Sequence, residues 1–226
     1  MSPEAIIHAS AGAIGMLSGA TALIVVKGSR PHRQAGTVFF LAMSATAASG
    51  AYLGVVTNEF VNVIAGMLTL YVLITAWMAV RRPEGQIGWF EIGSFLVATM
   101  GSLAATYGAV AALRNPEALL GGIPAVVFAV IITLMALADL SVLVRRGLRG
   151  RQRVARHLWR MMLGFAAAVG SFFPGQLQIF PEWVQQVRPI VVLFIPFFTV
   201  IGLMFFWLIY ALVTNSFASH TRRTST

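Results

Sequence analysis

Seven apolar runs separated by short links are the feature that most constrains how this 226-residue chain can fold. Most runs approach the roughly 20 residues that an α-helix needs to cross about 30 Å of hydrocarbon. Helix is the expected conformation because lipid offers no partner to open backbone hydrogen-bonding groups. We therefore predict an all-α polytopic membrane bundle, with residues 1–226 forming a single transmembrane domain. The predicted spans cover residues 5–26, 36–56, 61–80, 89–113, 123–144, 158–175 and 190–213.

The composition favours a membrane protein, since 58% of the residues are hydrophobic and only 10% are charged. A soluble domain of this composition would lack the polar side chains needed to cover its surface. The chain has no cysteine, which excludes disulfides, thiolate metal sites, iron–sulfur clusters and cysteine nucleophiles. It also lacks a Gly-rich phosphate loop, a serine triad pattern and a His-Glu-x-x-His zinc motif.

The positions of the basic residues predict the orientation of the bundle. Fourteen of the 16 Lys and Arg residues lie in or beside the links that follow spans one, three, five and seven, and only Arg114 and Arg188 do not. The positive-inside rule then predicts a cell inner (plasma) membrane protein with its N-terminus outside and its C-terminus in the cytoplasm. We expect the longest basic link, residues 145–156, to extend the sixth helix.

The net charge of +9 is interpreted as topogenic rather than as a sign of nucleic-acid binding. Its expected partners are the lipid bilayer and the anionic lipids of the inner leaflet. Small-residue pairs such as Gly15–Gly19 and Gly50–Gly54 predict close helix packing. A homo- or hetero-oligomer within the bilayer is compatible with this composition.

Two histidines are expected at the basic side of the bundle, where each opens a helix. His32 follows a Ser29 cap at the start of helix two, and His157 lies at the entry to span six. The positive end of a helix dipole disfavours imidazolium, and neutral imidazole is the form that ligates metals. If helices two and six are neighbours, His32 and His157 can ligate one heme iron or one divalent metal. His8, with Gly12 one turn further on, is a third cofactor-binding candidate near the opposite end.

Two acidic residues complete the predicted inner layer. Asp139 lies five residues before the end of span five, and Glu91 lies early in span four. Acids inside a span are costly and usually functional, with a partner nearby. Together with His32 and His157 they suit a zinc or manganese site. The alternatives are a structural ion pair of Asp139 with Arg160 or a loop arginine, and a boundary position for Glu91.

The segment from Ile7 to Gly54 resembles an uncharacterised family of bacterial polytopic membrane proteins. The matching segments are His8-Ala-Ser-Ala-Gly12, Lys27-Gly28, His32-Arg33-Gln-Ala-Gly36 and Gly50-Ala-Tyr52-Leu-Gly54. Members of the family carry a later His–Trp–Met element, for which the counterpart here is His157-Leu158-Trp159-Arg160-Met161. That family is similar in layout to small b-type membrane cytochromes. The resemblance implies that His8, His32 and His157 are positions of interest.

Three functions follow as hypotheses. The first is a heme- or metal-associated membrane redox protein with His32 and His157 as ligands, because heme b iron is commonly held by histidines from adjacent helices. The second is a small-solute or proton-coupled transporter that uses Asp139, Glu91 and His8 as a relay. The third is a non-catalytic membrane subunit or assembly factor.

Overall fold

A computed structural model describes residues 2–115, 122–186 and 190–214, and in these ranges the chain forms helices and no strands. The all-α prediction is therefore confirmed for the described residues. Short elements between the last two long helices are 3-10 turns at Leu177–Ile179 and Ile190–Phe194 and the one-turn helix α7 (Glu182–Gln185). The long helices are α1 (Pro3–Ile24), α2 (Arg30–Val56), α3 (Phe60–Arg81), α4 (Trp89–Arg114), α5 (Gly122–Val144), α6 (Arg151–Gly175) and α8 (Ile195–Val213).

Six helical segments in the described ranges are long and apolar enough to cross a membrane. They are α1 to α5 and the segment Val192–Val213, which contains α8. The predicted sixth span lies within α6, which has 25 residues but is not one of the six. Arginines in its first turns make α6 much more polar than the other long helices. The structure thus supports a membrane protein with several apolar helices.

The polar helix α6 nevertheless lies in the middle of the bundle. It packs against α1, α3 and α8, and its buried face contributes Phe165 and Ala166 to a core that also contains Phe39 of α2 and Leu73 of α3. Arg156 and Arg160 of α6 are buried as well. A helix surrounded by protein can carry such residues because other side chains, rather than lipid, satisfy their donors.

Small residues allow α1, α2 and α3 to approach closely, as the glycine pattern predicts. A Cβ atom at Gly66 of α3 would lie 2.6 Å from the carbonyl oxygen of Ala47 on α2. A Cβ atom at Gly19 of α1 would lie 2.7 Å from the ring of Phe165. Neither position has space for a larger side chain without a shift of the neighbouring helix.

Helices α4 and α5 form a hairpin that packs mainly on itself, whereas α1, α2, α3, α6 and α8 form the rest of the bundle. The two parts meet at the end of the bundle that carries the loops 25–29, 82–88 and 145–150, which we call the basic end. There the Gly85 backbone N–H donates to the Leu148 carbonyl oxygen at 2.9 Å. Side chains of α3, α5 and α6 provide further links between the two parts and form the site described next.

Candidate functional site: two histidines beside a buried arginine–aspartate network

The imidazole of His157 is held in one orientation by the backbone of α3. Its Nδ1 lies 3.0 Å from the carbonyl oxygen of Ala76. A carbonyl only accepts, so Nδ1 carries the proton and Nε2 of the neutral ring keeps its lone pair. Ala76 lies five residues before the end of α3, so its carbonyl is not an unpaired group of the helix end. The bond therefore orients the ring rather than satisfying an end group of α3.

The imidazole of His32 is fixed in the same way by the last turn of α1. Its Nδ1 donates to the carbonyl oxygen of Ala22 at 3.0 Å, and the Ser29 hydroxyl caps the helix by accepting from the His32 backbone N–H. The Ala22 oxygen also accepts from Lys27 Nζ at 3.3 Å. This carbonyl is one of those that the end of a helix leaves unpaired, so capping accounts for part of the contact. The His32 ring nevertheless keeps an unprotonated Nε2, because its Nδ1 carries the proton.

The helices that carry His32 and His157 contact each other. The rings of Phe39 on α2 and Phe165 on α6 pack edge to face, with centroids 6.0 Å apart. Phe39 lies seven residues after His32 and Phe165 eight residues after His157, so both histidines lie about two helical turns from this contact, toward the basic end. Both rings are partly buried. Two imidazoles with protonated Nδ1 and available Nε2, oriented by backbone carbonyls, form the arrangement that metal-binding histidines usually show.

His8, the third predicted cofactor ligand, lies elsewhere. Its Nδ1 is 3.0 Å from the Thr46 carbonyl oxygen and 3.2 Å from the Ser49 hydroxyl, and its ring packs against Gly50. Thr46 is 14 residues after His32 on the same helix, which corresponds to about 21 Å of helical rise. The structure therefore does not bring His8 to the site of His32 and His157.

Asp139 is the centre of a buried network next to His157. Its carboxylate is 1% exposed, and its Oδ1 accepts from Arg156 Nη2 at 2.5 Å and from Arg160 Nη2 at 2.6 Å. Its Oδ2 accepts from the hydroxyl of Tyr71. The ion pair with Arg160, one of the alternatives from the sequence, is thus present, and Arg156 of α6 joins it. The network links the α4–α5 hairpin to α3 and α6.

Arg160 is completely buried and contacts α3 as well as α5. It donates to the hydroxyl of Thr75, and its guanidinium carbon lies 5.3 Å from the Tyr71 ring centroid and 5.0 Å from that of Trp159. Its Nε has no acceptor among the described residues. Thr75 immediately precedes Ala76, the acceptor of His157, so the network and His157 contact the same turn of α3.

Sequence analysis did not identify Tyr71 and Thr75 as part of the site. They are polar residues four positions apart within a largely apolar span. That spacing places both on one helix face, and polar groups within a span usually have a partner. This signal was available, although the sequence does not show which helix faces them.

Glu91 lies in a separate ion pair at the basic end. Its two carboxylate oxygens accept from Arg82 Nε at 2.6 Å and from Arg82 Nη2 at 3.1 Å. Its Oε2 also accepts from the Gly88 backbone N–H at 2.7 Å, which satisfies an unpaired donor at the start of α4. Glu91 therefore stabilises the turn between α3 and α4.

Several cations of the basic end cap helix C-termini, where the unpaired carbonyls carry partial negative charge. Arg153 donates to the carbonyl oxygens of Ala79, Val80 and Arg82, and its hydrogen bond to Glu84 lowers the pKa of that carboxyl. Lys27 lies over the Trp207 ring at 4.7 Å, and burial lowers the pKa of its ammonium group.

The predicted zinc or manganese ligands do not come together. Asp139 and Glu91 each bind arginine, and no group of three or more His, Asp or Glu side chains able to hold a metal ion occurs within the ranges that the structure describes. The relay predicted for a transporter is not formed by direct contacts either, since His8 bonds to Thr46 and Ser49 of α2. His32 and His157 lie on helices that contact each other through Phe39 and Phe165.

Comparison of the chain with protein-family models, with curated proteins and with solved structures found no match.

Proposed function

We propose that this chain is a membrane redox protein that binds one b-type heme between His32 and His157. The observation that supports the proposal is that the two imidazoles have the same tautomer. Each donates its Nδ1–H to a backbone carbonyl of another helix, at 3.0 Å in both cases. Each therefore presents an unprotonated Nε2, and the two helices that carry them contact each other through Phe39 and Phe165.

The number of ligands favours heme over a zinc or manganese ion. Structural zinc sites use four protein ligands and catalytic ones three, whereas no group of three or more His, Asp or Glu side chains able to hold a metal occurs among the described residues. The porphyrin nitrogens would supply the other ligands of a heme iron, so His32 and His157 would be sufficient to hold it. The donor set thus fits heme.

In this proposal the protein residues hold and orient the cofactor, and the heme supplies reversible one-electron chemistry when bound. The carbonyls of Ala22 and Ala76 keep each imidazole in the ligating tautomer. The neighbouring apolar core, which includes Phe39 and Phe165, excludes water from this side of the bundle. An apolar environment of low dielectric constant is one of the means by which proteins tune the reduction potential of such cofactors.

The proposal includes the topology predicted from sequence: seven spans, with α6 as the sixth, and the basic end in the cytoplasm. The burial of Arg156 and Arg160 against Asp139 supports α6 as a span, because these charges contact protein and not lipid. Reporter fusions at positions 84 and 118 test it. We expect them on opposite sides of the membrane, with position 84 in the cytoplasm; reporters in the same compartment would contradict this topology.

Heme titration into the detergent-purified protein tests the proposed function. We expect a Soret band that saturates at one heme per chain and sharp visible bands after reduction, because two imidazoles give a six-coordinate iron. The His8→Ala variant is the control and should bind as the wild type does, since its partner Thr46 lies about 21 Å along α2 from His32. Absence of a saturable Soret band in the wild type would refute the proposal.

A further inference from the structure

A cavity of about 20 Å³ opens at the basic end, beside the buried network. This volume accommodates a water molecule or one oxygen of a larger group that enters from outside. Its walls come from α3, the 83–88 loop, α4, α5 and α6. Among the residues that line it are Thr75, Arg82, Gln86, Glu91, Arg153 and Arg156.

Among the residues that the structure describes, the ion pairs around this cavity leave one positive charge without a counter-ion. Four arginines pair with three acids, because Arg156 and Arg160 share a single oxygen of Asp139. A second anion would relieve the repulsion between these two guanidinium groups, which are both almost fully buried. The remaining pairs are Arg82–Glu91 and Arg153–Glu84.

Arg156 is the member of this set that has donors available to a ligand. It is 8% exposed and lines the cavity. Within the described part of the chain its guanidinium makes one hydrogen bond, from Nη2 to Asp139, although it carries five N–H groups. The Arg153 guanidinium, in contrast, is occupied by three carbonyls and Glu84. The cavity therefore presents unused guanidinium donors at its buried wall.

We propose that this cavity binds a phosphate group, with Arg156 as its principal ligand and Arg82 at its edge. Guanidinium groups match phosphate oxygens in geometry and charge. An anion at this position would supply the counter-charge that the network lacks. The ligand is the phosphate of an anionic lipid headgroup or free phosphate, which share this chemistry. The inference is independent of heme binding, and its test uses the heme-free protein.

The experiment measures the thermal unfolding midpoint of the purified full-length chain with two probes. One is inorganic phosphate in a neutral maltoside detergent, titrated against chloride at constant ionic strength. The other is a phosphatidylcholine nanodisc with or without phosphatidylglycerol. We expect at least one probe to raise the midpoint. A response to inorganic phosphate assigns the site to free phosphate, and a response to phosphatidylglycerol alone assigns it to a lipid headgroup.

Two variants remove the site, one from its buried wall and one from its exposed edge. Arg156→Gln leaves a balanced Asp139–Arg160 pair, and Gln86→Glu places a carboxylate of nearly equal size at the cavity from an exposed position. Each variant should bind the probe that raises the wild-type midpoint about tenfold or more weakly than the wild type does. This is the loss expected for a charge-assisted hydrogen bond. Because Gln86 is exposed, its variant remains informative if Arg156→Gln fails to fold.

Arg81→Gln is the matched control for general attraction between charges. Arg81 is adjacent to Arg82 in sequence but is exposed, stacks on the Trp77 ring at 4.5 Å and does not line the cavity. This variant should keep the wild-type response. The proposal is overturned if neither probe raises the wild-type midpoint, if Gln86→Glu responds like the wild type, or if Arg81→Gln loses the response to the same extent.

Discussion

Replacement of Asp139 by Ala will destabilise the protein by about 3–5 kcal/mol, the range measured when one partner of a buried ion pair is removed. The variant leaves Arg156 and Arg160 buried without their shared carboxylate, and it removes the acceptor of the Tyr71 hydroxyl. It also removes the main polar link between the α4–α5 hairpin and α6. In lipid such a link matters more than apolar contact, because lipid tails are as apolar as the side chains that they replace.

Denaturant or thermal unfolding of the detergent-purified variant measures this effect. Glu84→Ala is the control, because the Glu84 carboxylate also binds an arginine but its side chain is 41% exposed, and exposed pairs contribute only about 0–1 kcal/mol. Replacing Asp139 by Leu together with Arg156 and Arg160 by Met should restore much of the stability. Equal losses for Asp139→Ala and Glu84→Ala would show that the network does not stabilise the bundle.

Replacement of His157 by Ala will reduce heme affinity by at least about 100-fold, since loss of even an outer-shell partner of a metal ligand costs 10–100-fold. We expect the same for His32→Ala, because each ring supplies one of the two axial positions in the proposed site. The remaining histidine would leave the iron with an open position. Free imidazole should therefore restore a six-coordinate spectrum in either variant.

Two controls separate ligation from folding in this experiment. The unfolding midpoint of heme-free His157→Ala should stay close to that of the wild type, because the Ala76 carbonyl lies inside α3 and keeps its helical partner. His8→Ala should lose neither heme nor the spectrum. A His157→Ala variant that binds heme with wild-type affinity and an unchanged spectrum would rule out His157 as a ligand.

The long helices could be predicted from sequence because lipid imposes a length and an apolar composition on them. The predicted span 61–80 matches α3 (Phe60–Arg81), and the span 89–113 matches α4 (Trp89–Arg114). The predicted span 158–175 covers only part of α6, which begins at Arg151. Residues 151–157 continue the helix, as expected of the basic link, because Arg153 and Arg156 find acceptors on α3 and α5.

The partners within the site could be predicted only in part. The cost of an acid inside a span indicated that Asp139 has a cationic partner, but two arginines bind it, together with Tyr71. Glu91 was considered as a metal ligand, yet it binds Arg82, which is nine residues away across a turn. Such contacts depend on which helices are neighbours and on how they are rotated, and hydropathy does not encode either property.

The tautomer of the two imidazoles likewise could not be predicted from the sequence. The prediction that each histidine opens a helix is confirmed for His32, the third residue of α2, and is wrong for His157, the seventh residue of α6. Arg151–Arg156 form the first turns of α6, so the helix-dipole argument for a neutral ring does not apply to His157. In both rings the protonated nitrogen is determined by a backbone carbonyl of another helix, that of Ala22 or Ala76. Because a single hydrogen bond selects the tautomer, a tertiary contact is needed to assign it.

The electron paramagnetic resonance spectrum of the oxidised, heme-loaded protein tests the central claim most directly, since it reports the axial ligands of the iron. The account predicts a low-spin ferric signal typical of two imidazole ligands in the wild type and in His8→Ala. It predicts a high-spin signal in His32→Ala and in His157→Ala. A wild-type spectrum that is high-spin, or a low-spin signal that survives both single substitutions, would contradict ligation of one heme by His32 and His157.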